Sequence, residues 1–185
     1  MAKVLVVGDG PGGLSAALFL AKNGVSVTVY GQDKTAMHWA MLYNYLGIPE
    51  MTGAEFQKVA RKQVEGFGAT LVDARVEAID KVDGGFRVKL EDGAEATAEY
   101  LILSEGKSPR LATMLGLKVE DGAGVQVDHN SRSSLEGCYV VGRLARPGRS
   151  QAIISAGDGG AAAIDILSQE KGENFADWDS PPKDE

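Results

Sequence analysis

Residues 3–30 read KVLVVGDGPGGLSAALFLAKNGVSVTVY, and this stretch decides the fold. Its first five residues are mostly apolar and β-branched, which is typical of a buried parallel strand. A glycine-rich segment, Gly8–Gly13, follows at once, and residues 14–23 then carry apolar side chains at helical spacing. The closing run VSVTVY has the composition of a second strand. The stretch therefore predicts a β-turn-α-β unit.

The spacing Gly8-x-Gly10-x-x-Gly13 is the pattern with which a strand-to-helix turn binds a dinucleotide. Gly8 permits a tight turn, Gly10 lets the backbone approach a pyrophosphate, and Gly13 lets the helix pack closely on the strand. The first N–H groups of the helix and the helix dipole would then face the phosphate charge. A glycine-rich turn without a ligand is the alternative, but the strand, helix and second strand in register favour the dinucleotide.

The fingerprint is incomplete at the position that usually binds the ribose. A carboxylate normally ends the second strand, roughly 18 residues after the last glycine of the turn. Gly31 stands there instead, with Gln32 beside it and Asp33 as the nearest acid. Two alternatives follow: Asp33 binds the ribose, or the backbone alone binds it and Asp33 is a solvated loop acid.

The rest of the chain predicts a sheet with an added flap. Asp-Gly turn signals join three alternating segments between about 75 and 100, which predicts a three-stranded antiparallel β flap. Thr52 and Glu55 have the spacing of a capping box at the start of a helix. The other predicted elements are a helix at 52–65, strands at 70–72, 100–103 and 138–141, a loop over most of 104–134, a helix at 151–169 and a loosely held polar tail at 170–185.

Composition excludes several classes of protein. The chain has 185 residues, a net charge of −7 and one cysteine, Cys138. The acidic balance argues against nucleic acid and anionic membranes as partners, and one cysteine forms neither an internal disulfide nor a CxxC redox pair. No apolar run approaches the roughly 18 residues of a membrane span, and the first residues do not read as a signal peptide. We expect a soluble, cytoplasmic protein with no metal site.

The C-terminal half carries a more specific signal. It contains a Gly-x-x-Val-Asp strand (124–128), an Arg-Ser-Ser turn (132–134), a Gly-x-Tyr-x-x-Gly strand (137–142) and a helix of small residues that begins at Gln151-Ala152. These motifs resemble the end of the FAD domain of thioredoxin-reductase-like flavoproteins. The N-terminal fingerprint, the segment 44–49 (NYLGIP) and the strand 100–106 resemble the same family, so the resemblance extends to about residue 168.

The resemblance implies an α/β fold: a Rossmann-like FAD-binding domain over residues 1–169, with a parallel sheet, helices on both faces and the flap. It implies that Val76 offers its backbone to the adenine, that Asn44 lies by the flavin ring, and that the N–H groups of Gln151 and Ala152 face the flavin pyrimidine edge. Arg143 replaces the family's usual Asp and Glu105 its usual Thr. The residues expected to bind FAD are Gly8, Gly10, Pro11, Gly12, Gly13, Gly31, Gln32, Asp33, Asn44, Val76, Ser104, Glu105, Gly106, Gly142, Arg143, Gln151 and Ala152.

Two parts of the family pattern are missing. Thioredoxin reductases carry an NADPH domain between the strand that ends near Gly106 and the one that ends near Gly142, where this chain has only about 35 residues. The CxxC is absent as well, so thiol–disulfide activity does not carry over. The first hypothesis is an FAD-dependent oxidoreductase of unknown substrate, and the alternative is a non-catalytic FAD-carrying electron-transfer or regulatory module. An NAD(P)-binding Rossmann protein is disfavoured by the flavoprotein-like C-terminal half.

The segment 37–45 (MHWAMLYNY) is the remaining candidate for chemistry. Its apolar and aromatic side chains could cover a flavin, and His38 is a weak candidate for a proton donor. A core or subunit-contact segment is the alternative that we favour. A homodimer is compatible with the resemblance, while the electron donor and acceptor stay unnamed.

Overall fold

The computed structural model describes residues 2–181. Met1 and the last four residues of the expected tail therefore lie outside the described residues. In chain order the elements are β1 (Lys3–Val7), α1 (Pro11–Lys22), β2 (Ser26–Gly31), β3 (Met41–Leu42), β4 (Met51–Thr52), α2 (Gly53–Gly66), β5 (Thr70–Asp73), β6 (Val76–Val82), β7 (Gly85–Leu90), β8 (Glu95–Ala98), β9 (Tyr100–Leu103), α3 (Arg110–Met114), β10 (Val119–Glu120), β11 (Gly124–Val125), β12 (Cys138–Val140) and α4 (Ala152–Lys171), with 3₁₀ turns at Ala36–Trp39, Gly142–Leu144 and Pro147–Arg149.

The central sheet has five parallel strands in the order β12-β9-β1-β2-β5. The chain builds outward from β1 through β2 to β5 and then returns to the other side of β1 to add β9 and β12. The strand order therefore reverses beside β1, and ligands of open α/β sheets bind at the carboxyl ends of the strands next to such a reversal. The glycine-rich turn after β1 lies at that point.

Alternate residues of β1 point to opposite faces of the sheet, and each face has its own core. Val4 and Val6 pack with α1, α4 and Val64 of α2. Leu5 and Val7 pack on the other face, where Phe86 and Val88 of the flap and Leu111 of α3 cover them. The fold class is thus confirmed, and the β6-β7-β8 flap provides much of the cover on the second face.

The small residues of α4 allow it to pack on α1. A Cβ on Gly159 would lie 2.1 Å from the carbonyl oxygen of Gly12, so any residue with a side chain would clash there. Gly160 faces the ring of Phe19, whereas Gly157 is exposed with open space around it. Close helix packing therefore explains Gly159, whereas a Cβ on Gly160 would make an ordinary contact at 3.5 Å, and neither Gly160 nor Gly157 has a structural explanation here.

Three sequence predictions need correction. The first helix begins at Pro11 and not at residue 14, because proline is well suited to the first helical position. The expected loop 104–134 contains the short helix α3 and the β10-β11 hairpin. The described part of the tail is not loosely held: Phe175 packs against the core, and Lys22 forms ion pairs with two tail aspartates. The predicted capping box of Thr52 and Glu55 is confirmed.

A buried carboxylate, Asp165 of α4, connects the Arg-Ser-Ser turn to the helix. It accepts hydrogen bonds from the Tyr139 hydroxyl at 2.7 Å, from Arg132 Nε at 2.6 Å and from Gln169 Nε2 at 2.9 Å. Burial alone would raise the pKa of the Asp165 carboxyl, but the hydrogen bonds from Arg132 and Tyr139 outweigh burial, so the pKa is lowered overall. The charged form of this carboxylate therefore stabilises the fold.

Within residues 2–181, no helix combines the length and the apolar character that a membrane crossing requires.

Candidate functional site

The glycine loop, residues 8–13, needs its glycines for geometric reasons. Gly8 has φ = +104°, and a Cβ there would lie 2.1 Å from the carbonyl oxygen of Ser104 on the neighbouring strand end. A Cβ on Gly13 would lie 2.0 Å from the carbonyl oxygen of Gly8. Gly10 differs from both, because its backbone is extended (φ = −75°, ψ = −178°) and a Cβ would have open space around it. Gly10 thus faces free volume and not protein.

The start of α1 offers two backbone donors beside this free volume. Pro11 has no N–H, and the N–H of Leu14 already donates to the carbonyl of Gly10 at 2.9 Å. The N–H groups of Gly12 and Gly13 remain in the first turn, where the positive end of the helix dipole lies. This arrangement suits an anion such as a phosphate.

Two cavities meet at the glycine loop. The first, which we call the α4 cavity, has a volume of about 300 Å³ and lies between the loop, the segment 36–44 and the start of α4. The second, the flap cavity, has a volume of about 320 Å³ and lies between the loop, the end of β2 and the start of β6. Gly8 and Asp9 line the flap cavity, whereas Gly10, Pro11 and Gly12 line the α4 cavity. A ligand with two ends could therefore pass over the loop from one cavity into the other.

Most of the residues expected to bind FAD line one of these cavities. Gly13 packs within the turn, and Asp33 does not line either of the two. The members in the α4 cavity are Gly10, Pro11, Gly12, Asn44, Ser104, Gly106, Gly142, Arg143, Gln151 and Ala152. The members in the flap cavity are Gly8, Gly31, Gln32, Val76 and Glu105.

Polar groups in the α4 cavity come from the start of α4 and from nearby loops. Asn44 Nδ2 donates to Gln151 Oε1 at 3.0 Å, which positions the Asn44 amide over the helix start. The N–H of Gln151 donates to the carbonyl of Arg149 at 2.8 Å, so in this conformation Ala152 is the better of the two expected N–H donors. Arg143 is half-buried and makes no ion pair with any residue from 2 to 181. Its cation is therefore available to a ligand anion.

In the flap cavity, two of the expected ligands are already engaged with the protein. The carboxylate of Glu105 accepts hydrogen bonds from the N–H groups of Leu111 and Ala112, both at 3.1 Å, and so caps α3. Burial raises the pKa of this carboxyl above its ordinary value. The carbonyl of Val76 accepts a hydrogen bond from Arg110. Any contact of Val76 with an adenine would then use another part of the residue.

Asp33 and His38 interact with each other. The Asp33 carboxylate lies 3.0 Å from His38 Nε2, and both side chains are partly exposed to solvent. His38 does not line the α4 cavity, although Met37, Ala40 and Leu42 around it do. Neither Asp33 nor His38 therefore lines either of the two cavities.

Sequence reasoning missed a buried cluster around Asp9. Gln57 Nε2 donates to the carbonyl of Asp9 at 2.5 Å, and Arg61 forms an ion pair with its carboxylate. Gln57 is fully buried, and its Oε1 has no partner among residues 2–181. Gln57 and Arg61 are one helical turn apart on α2. This spacing, together with the acidic residue in the glycine loop, was the only sequence signal that could have indicated the cluster.

Cys138 lies in the central sheet and is 1% exposed. Burial raises the pKa of its thiol to about 12. The thiolate that nucleophilic attack requires is therefore almost absent at neutral pH.

Comparison with known proteins gives a consistent result. Residues 2–48 and 45–160 match the family described as pyridine nucleotide-disulphide oxidoreductase. The chain is 30% identical over 126 residues to a thioredoxin reductase of Aquifex aeolicus, covering 66% of this chain and 39% of that protein. It is 30% identical over 137 residues to a ferredoxin–NADP reductase of Streptococcus pyogenes, covering 69% of this chain and 40% of that one. The chain thus spans about two fifths of the length of these relatives.

The fold has close counterparts among solved structures. The atypical thioredoxin reductase of Desulfovibrio vulgaris Hildenborough superposes with a TM-score of 0.84 at 20% identity, over 94% of this chain and 99% of the other. Between Gly106 and Gly142 this chain has only α3, the β10-β11 hairpin and β12. That interval does not contain a second nucleotide-binding domain.

Proposed function

The chain belongs to the pyridine nucleotide-disulphide oxidoreductase family, and from that premise we propose that its FAD-binding domain, residues 1–169, binds one FAD across the glycine loop. The observation that carries the proposal is the pair of cavities that meet at Gly8–Gly12. A dinucleotide has two bulky ends joined by a pyrophosphate. The cavities match the two ends, and the start of α1 between them matches the pyrophosphate.

The residues present fit this cofactor. Gly10 leaves open space where a larger side chain would meet the pyrophosphate, and the N–H groups of Gly12 and Gly13 can donate to it. Half-buried Arg143, which makes no ion pair within the described residues 2–181, adds a cation in the same cavity. In the flap cavity, Val76 and Gln32 lie where the adenosine would bind.

Bound FAD would supply reversible acceptance and transfer of electrons, which no side chain supplies on its own. The chain's contribution is to bind and tune the cofactor. The start of α4, at Ala152, directs the positive end of a 20-residue helix into the α4 cavity. That dipole favours negative charge there, and so favours the reduced form of a flavin bound in this cavity.

We further propose that the protein is an oxidoreductase whose electron donor reaches the flavin from the open side of the α4 cavity. The segment 36–44 lines this cavity with Met37 and Leu42 and exposes Trp39 and Tyr43 to solvent. The interval between Gly106 and Gly142 provides no domain to bind a nicotinamide. A free nicotinamide should therefore bind weakly, or a partner protein should deliver the electrons. A non-catalytic electron-transfer or regulatory subunit is the second candidate, favoured by the same missing domain.

Two measurements test these proposals. Flavin released by denaturing the purified protein should be FAD when it is identified by chromatography, and FMN or no flavin would contradict the cofactor assignment. Anaerobic stopped-flow mixing with NADH and NADPH should then show slow reduction that does not saturate at micromolar concentration. Fast reduction with a micromolar constant would show a nicotinamide site that the proposal does not contain.

A further inference from the structure

Gly31 leaves the second strand without an acceptor for the ribose. In dinucleotide-binding turns, an acidic side chain near this position accepts hydrogen bonds from the ribose hydroxyl groups. A glycine cannot do so. The structure shows what takes up the space that such a side chain would need.

The side chain of Asp9 occupies the space beside Gly31. A Cβ on Gly31 would lie 2.3 Å from Asp9 Cγ and 2.6 Å from Asp9 Oδ1. The Asp9 carboxylate thus begins where the side chain of residue 31 would begin, and Asp9 and Gly31 both line the flap cavity. The position of the Asp9 side chain therefore depends on the absence of a side chain at residue 31.

The surrounding protein fixes one oxygen of this carboxylate and leaves the other available. Asp9 Oδ2 accepts a hydrogen bond from the N–H of Asp33 at 2.9 Å and forms the ion pair with Arg61. Oδ1 accepts no hydrogen bond from any residue between 2 and 181, and it is not fully enclosed by protein. Arg61 and the Asp33 backbone therefore orient the carboxylate, while Oδ1 retains its capacity to accept.

The other acids near the flap cavity are committed elsewhere. Glu105 is the second carboxylate that lines this cavity, and both of its oxygens accept hydrogen bonds from the start of α3. Asp33 directs its carboxylate to His38. The remaining charged side chains that line the cavity, Lys34, Arg75 and Arg110, cannot accept a hydrogen bond from a hydroxyl group.

From these contacts we propose that Asp9 Oδ1 binds the ribose diol of the adenosine, in place of the acid that Gly31 lacks. The inference rests on the proposed function, since it requires a dinucleotide across the glycine loop. Arg61 acts as a positioning residue that holds the carboxylate, and Gly31 provides the room for it.

The test uses the intact, flavin-free protein and compares ADP with 2′,3′-dideoxy-ADP by calorimetric titration. The wild type should bind ADP at least about tenfold more tightly than the dideoxy analogue, because the analogue lacks the hydroxyl groups that donate hydrogen bonds to the charged carboxylate. Asp9→Ala should weaken ADP and leave the dideoxy analogue nearly unchanged, so that the discrimination falls below about threefold.

A charge-relocation variant controls for misfolding. Gly31→Glu alone should lose ADP binding, because its Cβ would collide with Asp9. Asp9→Gly combined with Gly31→Glu removes the collision, including the Asp9 Cβ that would lie 2.6 Å from the new Cβ, and supplies a carboxylate from the end of β2. Discrimination between ADP and the dideoxy analogue should then return. The double variant therefore carries the test even if Asp9→Ala is unstable.

The outcomes separate this inference from the proposed function. If the wild type binds ADP and the dideoxy analogue equally, the role of Asp9 is overturned while the dinucleotide site stands. Equal losses of both ligands in Asp9→Ala would assign Asp9 a purely structural role through Arg61 and would also overturn the inference. If the wild type binds neither ADP nor FAD, the proposed function fails, and this inference fails with it.

Discussion

Replacing Gly10 with valine should strongly weaken FAD binding without unfolding the protein. The backbone of Gly10 is extended, and a Cβ there meets no atom within 4 Å, so the fold itself tolerates a branched side chain. The added methyl groups would project over the start of α1, into the α4 cavity of about 300 Å³. They would separate a pyrophosphate from the N–H groups of Gly12 and Gly13.

The size of the effect follows from the two lost donors. A hydrogen bond to a charged group contributes about 1.5–3 kcal/mol, so losing two costs roughly 3–6 kcal/mol, which weakens binding by about 10² to 10⁴. The flavin absorbance of the purified variant, with circular dichroism as the check on folding, measures this. Gly66→Val is the matched control, because a Cβ at Gly66 also meets open space but at the exposed end of α2. Full flavin content in Gly10→Val would refute the placement of the pyrophosphate.

Three further predictions concern charge and burial. Arg143→Ala should raise the Kd for FAD roughly ten- to a hundredfold in fluorescence titrations, whereas the control Arg149→Ala, at an exposed position, should leave it unchanged. Equal affinities of wild type and Arg143→Ala would show that Arg143 faces solvent. Asp165→Asn should destabilise the fold at neutral pH by about 1–3 kcal/mol, seen as a lower Tm. Because the native pKa of Asp165 is lowered, the contribution of its carboxylate to stability should be complete above about pH 4 and should be lost as the pH falls through the native pKa. A difference in Tm between wild type and variant that does not depend on pH would contradict this. The buried Cys138 thiol should react with a disulfide reagent only after denaturation, and rapid labelling of the native protein would contradict its burial.

Much of the fold was predictable because its signals are local. The β-turn-α-β unit follows from residues 3–30, and the flap follows from two Asp-Gly turns between alternating segments. The capping box at Thr52 likewise depends on four consecutive residues. Each of these patterns contains the physical reason for its own structure.

The features that sequence reasoning missed depend on distant residues. Helix α3 has only five residues, too few to show a helical period, and its capping carboxylate is Glu105, outside the helix. The tail is bound by Lys22, about 155 residues away along the chain. These contacts form only once the sheet has assembled.

In the candidate site, too, local patterns were predictable and contacts between distant residues were not. Most of the residues that the resemblance assigned to the cofactor line one of the two cavities, since the resemblance assigns positions along the backbone. Asp33 and His38 line neither cavity, and their side chains lie within hydrogen-bond distance of each other. Sequence reasoning missed Asp9, because the space beside Gly31 is visible only when the turn and the end of β2 are placed together.

The central claim is that a dinucleotide with a flavin at one end spans the glycine loop, and cofactor titration of the flavin-free protein tests it most directly. The account predicts one FAD per chain, bound at least a hundredfold more tightly than FMN, because FMN cannot fill the flap cavity; that ratio corresponds to about 2.7 kcal/mol. NAD should bind far more weakly than FAD, since the α4 cavity is proposed to be built for a flavin. Equal affinity for FAD and FMN, or tighter binding of NAD, would contradict the account.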